Sequence, residues 1–169
     1  MRVPVLAVIG LVTIAASGAL AQPAPSSTTV FMNNKDIMGL VEKAKADRKG
    51  EAPMVGEPIL TLAPYKAQLE YRPAKAPAAV HEKDAELMVV LDGTGDILTD
   101  GTLVDGKRVN SANFSGPAIA NGVSHQVVKG DMILIPPNTP HQVIPSGDKP
   151  IVLMTMHVPY PPENWPPKD

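Results

Sequence analysis

Two stretches of the sequence, HEKDAELMVVLDG at residues 81–93 and GDMILIPPNTPH at residues 130–141, are the most informative about structure and function. Each places a histidine at one end of a strand-like apolar run, and the first adds a glutamate five residues after its histidine. His81, Glu86 and His141 together offer two imidazoles and a carboxylate, which is a ligand set for a divalent metal. These stretches therefore predict both strands and metal-binding chemistry.

The spacing within the first stretch predicts a turn. In a plain strand, residues five apart point to opposite sides, so His81 and Glu86 converge only if residues 82–85 form a turn or bulge. Glu86 then shares a face with Met88 and Val90, which places a carboxylate on an apolar wall. Burying it unpaired would cost several kcal/mol, so we expect it to be paired or bound to a cation.

The second stretch ends in a turn that leads into another strand. His141 directly follows Pro140, whose fixed φ helps to hold the start of that strand. Asn138 lies in the preceding turn and is one of the few non-glycine residues that tolerate a left-handed backbone. We therefore expect His141 to be held at a defined strand end.

Short strands separated by turn signals follow from about residue 57 to residue 158, which predicts an all-β domain, an antiparallel sandwich or barrel. Residues 110–122 are different, since they are polar, lack alternation and carry Phe114 as a lone aromatic residue. They are expected to form either a lid over a binding site or a surface loop. The predicted strands are 58–63, 67–72, 79–81, 86–91, 96–98, 123–129, 132–135, 141–144 and 151–158.

The N-terminal part of the chain divides into three segments. Residues 1–21 have an early Arg2, an apolar run and an A-L-A ending, which predicts a secretory signal peptide, with a membrane anchor as the alternative. Residues 22–32 read as a flexible leader, and residues 33–50 as an N-terminal helix whose apolar stripe packs on the main domain. At the other end, residues 159–169 form a proline-rich tail.

Composition excludes several classes of function. The chain has a formal net charge of −2 and no basic run, so neither nucleic acid nor, after signal cleavage, a membrane surface is an expected partner. It has no cysteine, so neither a disulfide nor a cysteine nucleophile is possible. We expect a periplasmic or secreted domain that binds a small molecule, with a homodimer possible through a sheet edge or the helix.

The two stretches resemble the motifs of the cupin family. In the first motif, G-x5-H-x-H-x(3,4)-E-x6-G, the second histidine, the glutamate and the final glycine correspond to His81, Glu86 and Gly93. In the second motif, G-x5-P-x-G-x2-H-x3-N, the first glycine, the proline and the histidine correspond to Gly130, Pro136 and His141. The resemblance implies a cupin-type double-stranded β-helix, a small barrel with a metal held in its mouth by His81, Glu86 and His141.

The sequence departs from the first motif at one ligand position. Ala79 stands where many metal-binding cupins have their first histidine, which leaves two histidines, one carboxylate and open coordination positions. His125 and His157 are candidates to complete the site, although a histidine in such a strand is more often solvent-facing or a hydrogen-bonded core residue than a metal ligand. Candidate substrate-lining residues, besides these two histidines, are Tyr71, Arg72 and Phe114; for the first two the alternative is a solvated strand end.

Three functions remain open at this point. The first is a metalloenzyme in which one Fe, Mn, Zn or Ni ion binds a small oxygenated organic molecule. Similar cupins include dioxygenases, isomerases and lyases. Glu86 would then be a ligand or, if displaced, a catalytic general base. The second is a non-catalytic envelope protein that binds a small molecule or a metal, and the third is a structural protein in which His81 and Glu86 only hydrogen-bond each other.

Overall fold

Two antiparallel sheets enclose the core, and one helix packs on the outer side of the first sheet. The computed structural model describes residues 29–159. Its elements are α1 (Asn34–Asp47), β1 (Val55–Leu62), β2 (Tyr65–Arg72), β3 (Ala78–His81), β4 (Asp84–Asp92), β5 (Thr94–Thr99), β6 (Thr102–Val104), β7 (Lys107–Arg108), β8 (Asn113–Gly116), β9 (Ala118–Ala120), β10 (Val123–Val128), β11 (Met132–Ile135), β12 (His141–Pro145) and β13 (Ile151–Pro159).

Within residues 29–159, neighbouring strands pair only in antiparallel orientation, as in an all-β domain. The first sheet has the order β1-β2-β13-β4-β11, the second has β10-β5-β12-β3-β8-β7, and β6 pairs with β9. All these pairs are antiparallel. The predicted all-β class is confirmed.

The space between the two sheets is filled by apolar side chains from alternate strand positions. We call this cluster the apolar core. On β4, Met88 and Val90 point inward, and on β13, Ile151 and Leu153 meet them. Burying such a side chain contributes about 1.5–3 kcal/mol, so the core is the main stabilising feature of the barrel. Its members are Met88, Val90, Ile97, Val127, Ile135, Val143, Ile151 and Leu153.

A second apolar cluster joins α1 to the outer face of the first sheet. The side chain of Asn33 caps the helix by accepting a hydrogen bond from the backbone N–H of Asp36 at 2.9 Å. Ala44 on the helix is fully buried and packs with Leu69 and Tyr71 of β2. The predicted N-terminal helix is therefore present, with its apolar stripe against the barrel.

A bulge sets the register between β13 and β4. Val152 lies opposite Asp92, but Leu153 lies opposite Val90, so Leu91 has no partner on β13. Beyond this bulge the register continues without a shift to the pair His157 and Glu86. The bulge thus decides which inward side chains of the two strands face each other.

The segment that was expected to be a lid or a surface loop is part of the sheets. Residues 110–122 contain β8 and β9, and β8 pairs with β3 from Ala78 opposite Gly116 to His81 opposite Asn113. The lid interpretation is therefore corrected. The sequence of β8, N-F-S-G, lacks apolar alternation because alternate positions are polar: Asn113 contacts His81 and Ser115 lines the cavity.

Some expectations fall on parts of the chain outside residues 29–159. These are the signal peptide at 1–21, most of the leader at 22–32 and nearly all of the tail at 159–169. Within the described part, no helix combines the length and the apolar character that crossing a bilayer requires.

Candidate metal centre

His81 and Glu86 converge because a short turn separates their strands. His81 is the last residue of β3, and β4 begins three positions later at Asp84. The two side chains then face each other, with 3.3 Å between Nε2 of His81 and Oε2 of Glu86. The turn that the spacing predicts is therefore what brings the two groups together.

His141 approaches the same carboxylate oxygen from the second sheet. It begins β12 and pairs with Ala79 of β3, and its Nε2 lies 2.9 Å from Oε2 of Glu86. The preceding turn is tied to β3, since the backbone N–H of Asn138 donates to the carbonyl of His81 at 2.7 Å. Asn138 has a φ of 62°, in the left-handed region expected for it. The two motifs are thus held together by the backbone as well as by their side chains.

His157 brings a third imidazole to the cluster. It lies directly opposite Glu86 on β13, with 4.0 Å between its Nε2 and Oε1 of Glu86. Its ring meets that of His81 edge to face, with 4.5 Å between the ring centroids. Ligand atoms of His81, Glu86 and His157 all lie within 4.8 Å of one another. We refer to His81, Glu86, His141 and His157 as the His–Glu cluster.

Two of the imidazoles are oriented by oxygen acceptors behind them. Nδ1 of His81 lies 2.9 Å from the side-chain oxygen of Asn113, and Nδ1 of His141 lies 3.1 Å from the carbonyl of Thr139. Because both acceptors are oxygens, each Nδ1 donates its hydrogen, and in the neutral ring Nε2 carries the lone pair. Metal-binding histidines are commonly fixed in this way. In both rings Nε2 is the nitrogen that faces Glu86.

Glu86 is a buried carboxylate with an unsatisfied oxygen. Its exposed fraction is 3%, and among residues 29–159 Oε2 accepts no well-directed hydrogen bond despite the short contact to His141. Burial would raise the pKa of Glu86, but the imidazoles of His141 and His81 outweigh burial and hold that pKa well below its usual range. The carboxyl is therefore ionised, and a positive charge between it and the imidazoles stabilises that form.

The pKa of His81 shifts in the complementary direction. Burial would lower it, but the Glu86 carboxylate and the side chain of Asn113 raise the pKa of His81 above its ordinary value. A positive charge between these groups is therefore favourable, and either a proton or a metal ion can supply it.

The spacing of the donor atoms fits a metal ion. Bonds of about 2.0–2.1 Å place neighbouring ligand atoms on one ion roughly 3.0–3.4 Å apart. The contacts from Oε2 of Glu86 to Nε2 of His141 and His81, at 2.9 and 3.3 Å, agree with this spacing. An unsatisfied buried carboxylate oxygen and two oriented imidazoles can therefore hold a divalent cation.

The His–Glu cluster lies in the wall of an open cavity of about 400 Å³. Ala79, Ser115 and Gln142 come from the second sheet, and Gln68 and Arg72 come from β2 of the first. A cavity of this volume suits a small organic molecule. Its wall offers both apolar surface and hydrogen-bonding groups next to the cluster.

A buried ionic network forms the part of the wall that belongs to β2. Nε of Arg72 donates to Oε2 of Glu70 at 2.8 Å, and Nη2 of Arg72 lies 2.6 Å from the same oxygen. Gln68 and Thr155 donate to Oε1 of Glu70 at 2.8 and 3.2 Å. Glu70 is therefore saturated, whereas the guanidinium of Arg72, with five N–H donors, retains some for a ligand.

Comparison with known protein families agrees with this geometry. Residues 71–161, more than half of the chain, match the family described as the AraC-like ligand binding domain. The chain belongs to this family. None of the curated proteins is similar enough in sequence to match it.

Several solved structures are similar to this AraC-like ligand binding domain. A conserved protein of Klebsiella pneumoniae with a double-stranded β-helix domain has 14% sequence identity, covering 79% of this chain and 91% of that one, with a TM-score of 0.51. A Bacillus halodurans protein has 17% identity, covering 81% and 86%, with a TM-score of 0.50. The cupin domain of Schizosaccharomyces pombe Cnp3 has 12% identity, covering 72% and 70%, with a TM-score of 0.49. The double-stranded β-helix of the Klebsiella pneumoniae protein, together with the antiparallel sheets and the family match, confirms the predicted cupin-type fold.

The AraC-like domain brings together only part of the residues predicted to surround a substrate. Arg72 and His157 line the cavity. Tyr71 points to the opposite face of β2 and packs in the cluster under α1. Phe114 does not line the cavity, and the guanidinium of Arg108 lies 4.2 Å from its ring centre. His125 is on β10, where its Nε2 is 3.1 Å from Oγ1 of Thr99, outside the cavity wall.

Several groups around the site are not apparent from the motifs. Asn113 is noticeable in the sequence only as the first residue of an N-F-S triplet, yet it orients His81. Gln68 and Glu70 could have been found from the run of polar residues at alternate positions that ends at Arg72. Gln142 donates to the carbonyls of Ala76 and Pro117, which no local pattern indicates.

Proposed function

We propose that this domain is a metal-dependent enzyme that acts on a small oxygenated organic molecule, with His81, Glu86 and His141 as ligands of one divalent transition metal. The observation that carries this proposal is Oε2 of Glu86, a buried carboxylate oxygen that has no well-directed donor among residues 29–159 and lies 3.3 and 2.9 Å from Nε2 of His81 and His141. Fe, Mn, Zn and Ni all accept such nitrogen and oxygen donors. The adjoining cavity would receive the substrate.

The protein's own groups would bind and orient the substrate. Bound in this site, the metal supplies Lewis-acid or oxygen chemistry. Arg72 would hold an anionic or oxygen-rich part of the substrate with the donors that Glu70 leaves free. Ser115, also in the wall, would add a hydroxyl group to this recognition.

The proposed role of Glu86 is that of a ligand rather than of a general base. A carboxylate whose pKa is held below its usual range is a weak proton acceptor, so ionisation favours metal binding over proton abstraction. His81 and His141 would keep their Nδ1 hydrogens on Asn113 and Thr139 while Nε2 binds the metal. This second set of contacts would keep the imidazoles in place during turnover.

Elemental analysis of protein purified without chelators or a nickel affinity tag tests the metal. We expect about one equivalent of one transition metal in the wild type, and loss of this metal in Glu86→Gln and in His141→Ala. Glu82→Gln is the matched control, because Glu82 is a carboxylate of the same turn that pairs with Arg108 instead. Full occupancy in both cluster variants would refute the site.

A non-catalytic binding protein is the second candidate, and the family match favours it, since the family is described by ligand binding. Both functions predict a substrate-dependent change in the spectrum of the bound metal. Only the enzyme predicts turnover, measured as oxygen consumption for an iron form and as isomerisation or elimination for zinc or manganese forms. Saturable binding without product would decide for the binding protein.

The proposed location is the periplasm or the extracellular space, and it rests on the sequence of residues 1–21 alone. Mass spectrometry of the protein isolated from its native host tests it. A mature chain that begins at Gln22 is the expected result, and an intact Met1 would contradict it.

A further inference from the structure

The cupin motif has one histidine more than this chain provides at the corresponding position. Ala79 and His81 alternate along β3 toward the same side, and Ala79 lines the cavity and pairs with His141. Its methyl group cannot bind a metal. If the proposed metal site is correct, it lacks a donor on this part of the wall.

The last strand brings an imidazole to the cluster from the first sheet. His157 is the cross-strand neighbour of Glu86, and residues opposite each other in an antiparallel pair have Cβ atoms about 4.5–5.5 Å apart. Its Nε2 faces Oε1 of Glu86 at 4.0 Å, whereas His81 and His141 face Oε2. The three imidazoles thus surround the carboxylate rather than crowding one oxygen.

The orientation of His157 resembles that of the other two histidines, although the oxygen behind its ring is farther away than their hydrogen-bond acceptors. Oδ2 of Asp84 lies 4.0 Å from its Nδ1, on the side of the ring away from Glu86. Each imidazole therefore has an oxygen on the Nδ1 side and presents Nε2 to Glu86. The side chain of His157 is 37% exposed, against 15% or less for the other three groups, so it is the cluster member nearest to solvent.

We propose that His157 is a metal ligand that replaces the motif histidine missing at position 79. This inference rests on the proposed metal site. It gives the chain three imidazoles and one carboxylate, with one imidazole supplied by the last strand instead of the first motif. Because this ligand lies on the open side, it also borders the path by which a substrate reaches the cavity.

Cobalt(II) titration of the metal-free full-length protein tests the proposal, with the dissociation constant and the visible absorption spectrum as two readouts. In His157→Ala we expect the affinity to fall by at least about tenfold, since even outer partners of metal ligands contribute about 10–100-fold. The spectrum should change as well, because a nitrogen donor is lost. His125→Ala is the matched control, a histidine outside the cluster whose removal should change neither readout.

The double variant Ala79→His/His157→Ala tests the replacement directly. If His157 stands in for position 79, returning an imidazole to β3 should restore affinity to near the wild-type value; failure to restore it would overturn the replacement. Wild-type affinity and spectrum in His157→Ala, with binding lost in Glu86→Gln, would show that His157 is not a ligand while the metal site stands. Absence of cobalt binding in the wild type would refute the proposed function itself. Thermal unfolding of each metal-free variant verifies that it is folded.

Discussion

The inward faces of β4 and β13 carry Val90 and Leu153 in the apolar core, but Glu86 and His157 only four residues farther along the same strands. The core groups are satisfied by packing alone, since Leu153 is fully buried among other apolar side chains. In the described part of the chain, the His–Glu cluster leaves a buried carboxylate oxygen without a well-directed donor. The well-packed core thus stabilises a domain that has an unpaired carboxylate oxygen at one end. A bound cation would supply the missing partner of that oxygen.

The largest expected effect comes from the core. Leu153→Ala should lower the free energy of unfolding by about 2–5 kcal/mol, because it removes a fully buried side chain and leaves a cavity. Urea unfolding measures this change. Leu134→Ala is the control, since Leu134 is 61% exposed and its loss should cost about 0.5 kcal/mol or less. Equal losses in both variants would contradict the packing described for the core.

Metal removal should have a smaller effect that arises entirely at the cluster. A metal present at about 100 times its dissociation constant stabilises the folded state by about 2.7 kcal/mol, and a chelator should remove this increment. Urea unfolding of the wild type with and without chelator provides the measurement. Glu86→Gln should be insensitive to the chelator, and an equal chelator effect in that variant would place the metal elsewhere.

The pH dependence of stability should distinguish the metal-free and metal-bound states. The raised pKa of His81 contributes stability that is fully present below its unfolded pKa of 6.5, and this stability is lost as pH rises through the higher folded pKa. Metal affinity should instead increase with pH, since protons compete with the metal for the imidazoles. Urea unfolding at several pH values, with and without metal, tests both slopes. In metal-free His81→Gln the loss of stability with rising pH should be smaller than in the wild type. An unchanged pH profile would contradict the attribution of that loss to His81.

The smallest expected effect concerns the turn between the two first-motif ligands. Arg108 donates to both carboxylate oxygens of Glu82, at 2.7 and 3.1 Å, and lies over the ring of Phe114. The side chains of this pair are 48% and 31% exposed, so Arg108→Ala should cost about 1 kcal/mol or less. Thermal unfolding measures it. A marked loss of cobalt affinity in this variant would show that the turn depends on the ion pair.

Strands with one apolar and one polar face could be predicted from the sequence. Alternation in β4 and the histidine at the start of β12 predicted the fold and the convergence of His81, Glu86 and His141, which the structure brings together. Strand β2 was ambiguous because both of its faces are covered. Tyr71 faces α1 and Arg72 faces the cavity, and periodicity alone cannot say which side is inward.

The sequence was insufficient where a residue acts through a distant partner. Asn113 reaches His81 only because β8 pairs with β3, a contact between residues 32 positions apart. His157 reaches Glu86 only through the register of two strands separated by most of the domain. Local patterns do not contain this information, so the candidates near the motifs were predicted better than those supplied by pairing.

The unpartnered Leu91 has a consequence for how this site tolerates changes in chain length. Without Leu91, Val90 would precede Asp92 directly, so Val152 would stay opposite Asp92 and Leu153 opposite Val90 without a bulge. The pair of His157 and Glu86 would then be kept. A residue deleted between Glu86 and Val90 would instead place Ala85 opposite His157, so that deletion would separate the last histidine from the glutamate without altering either residue.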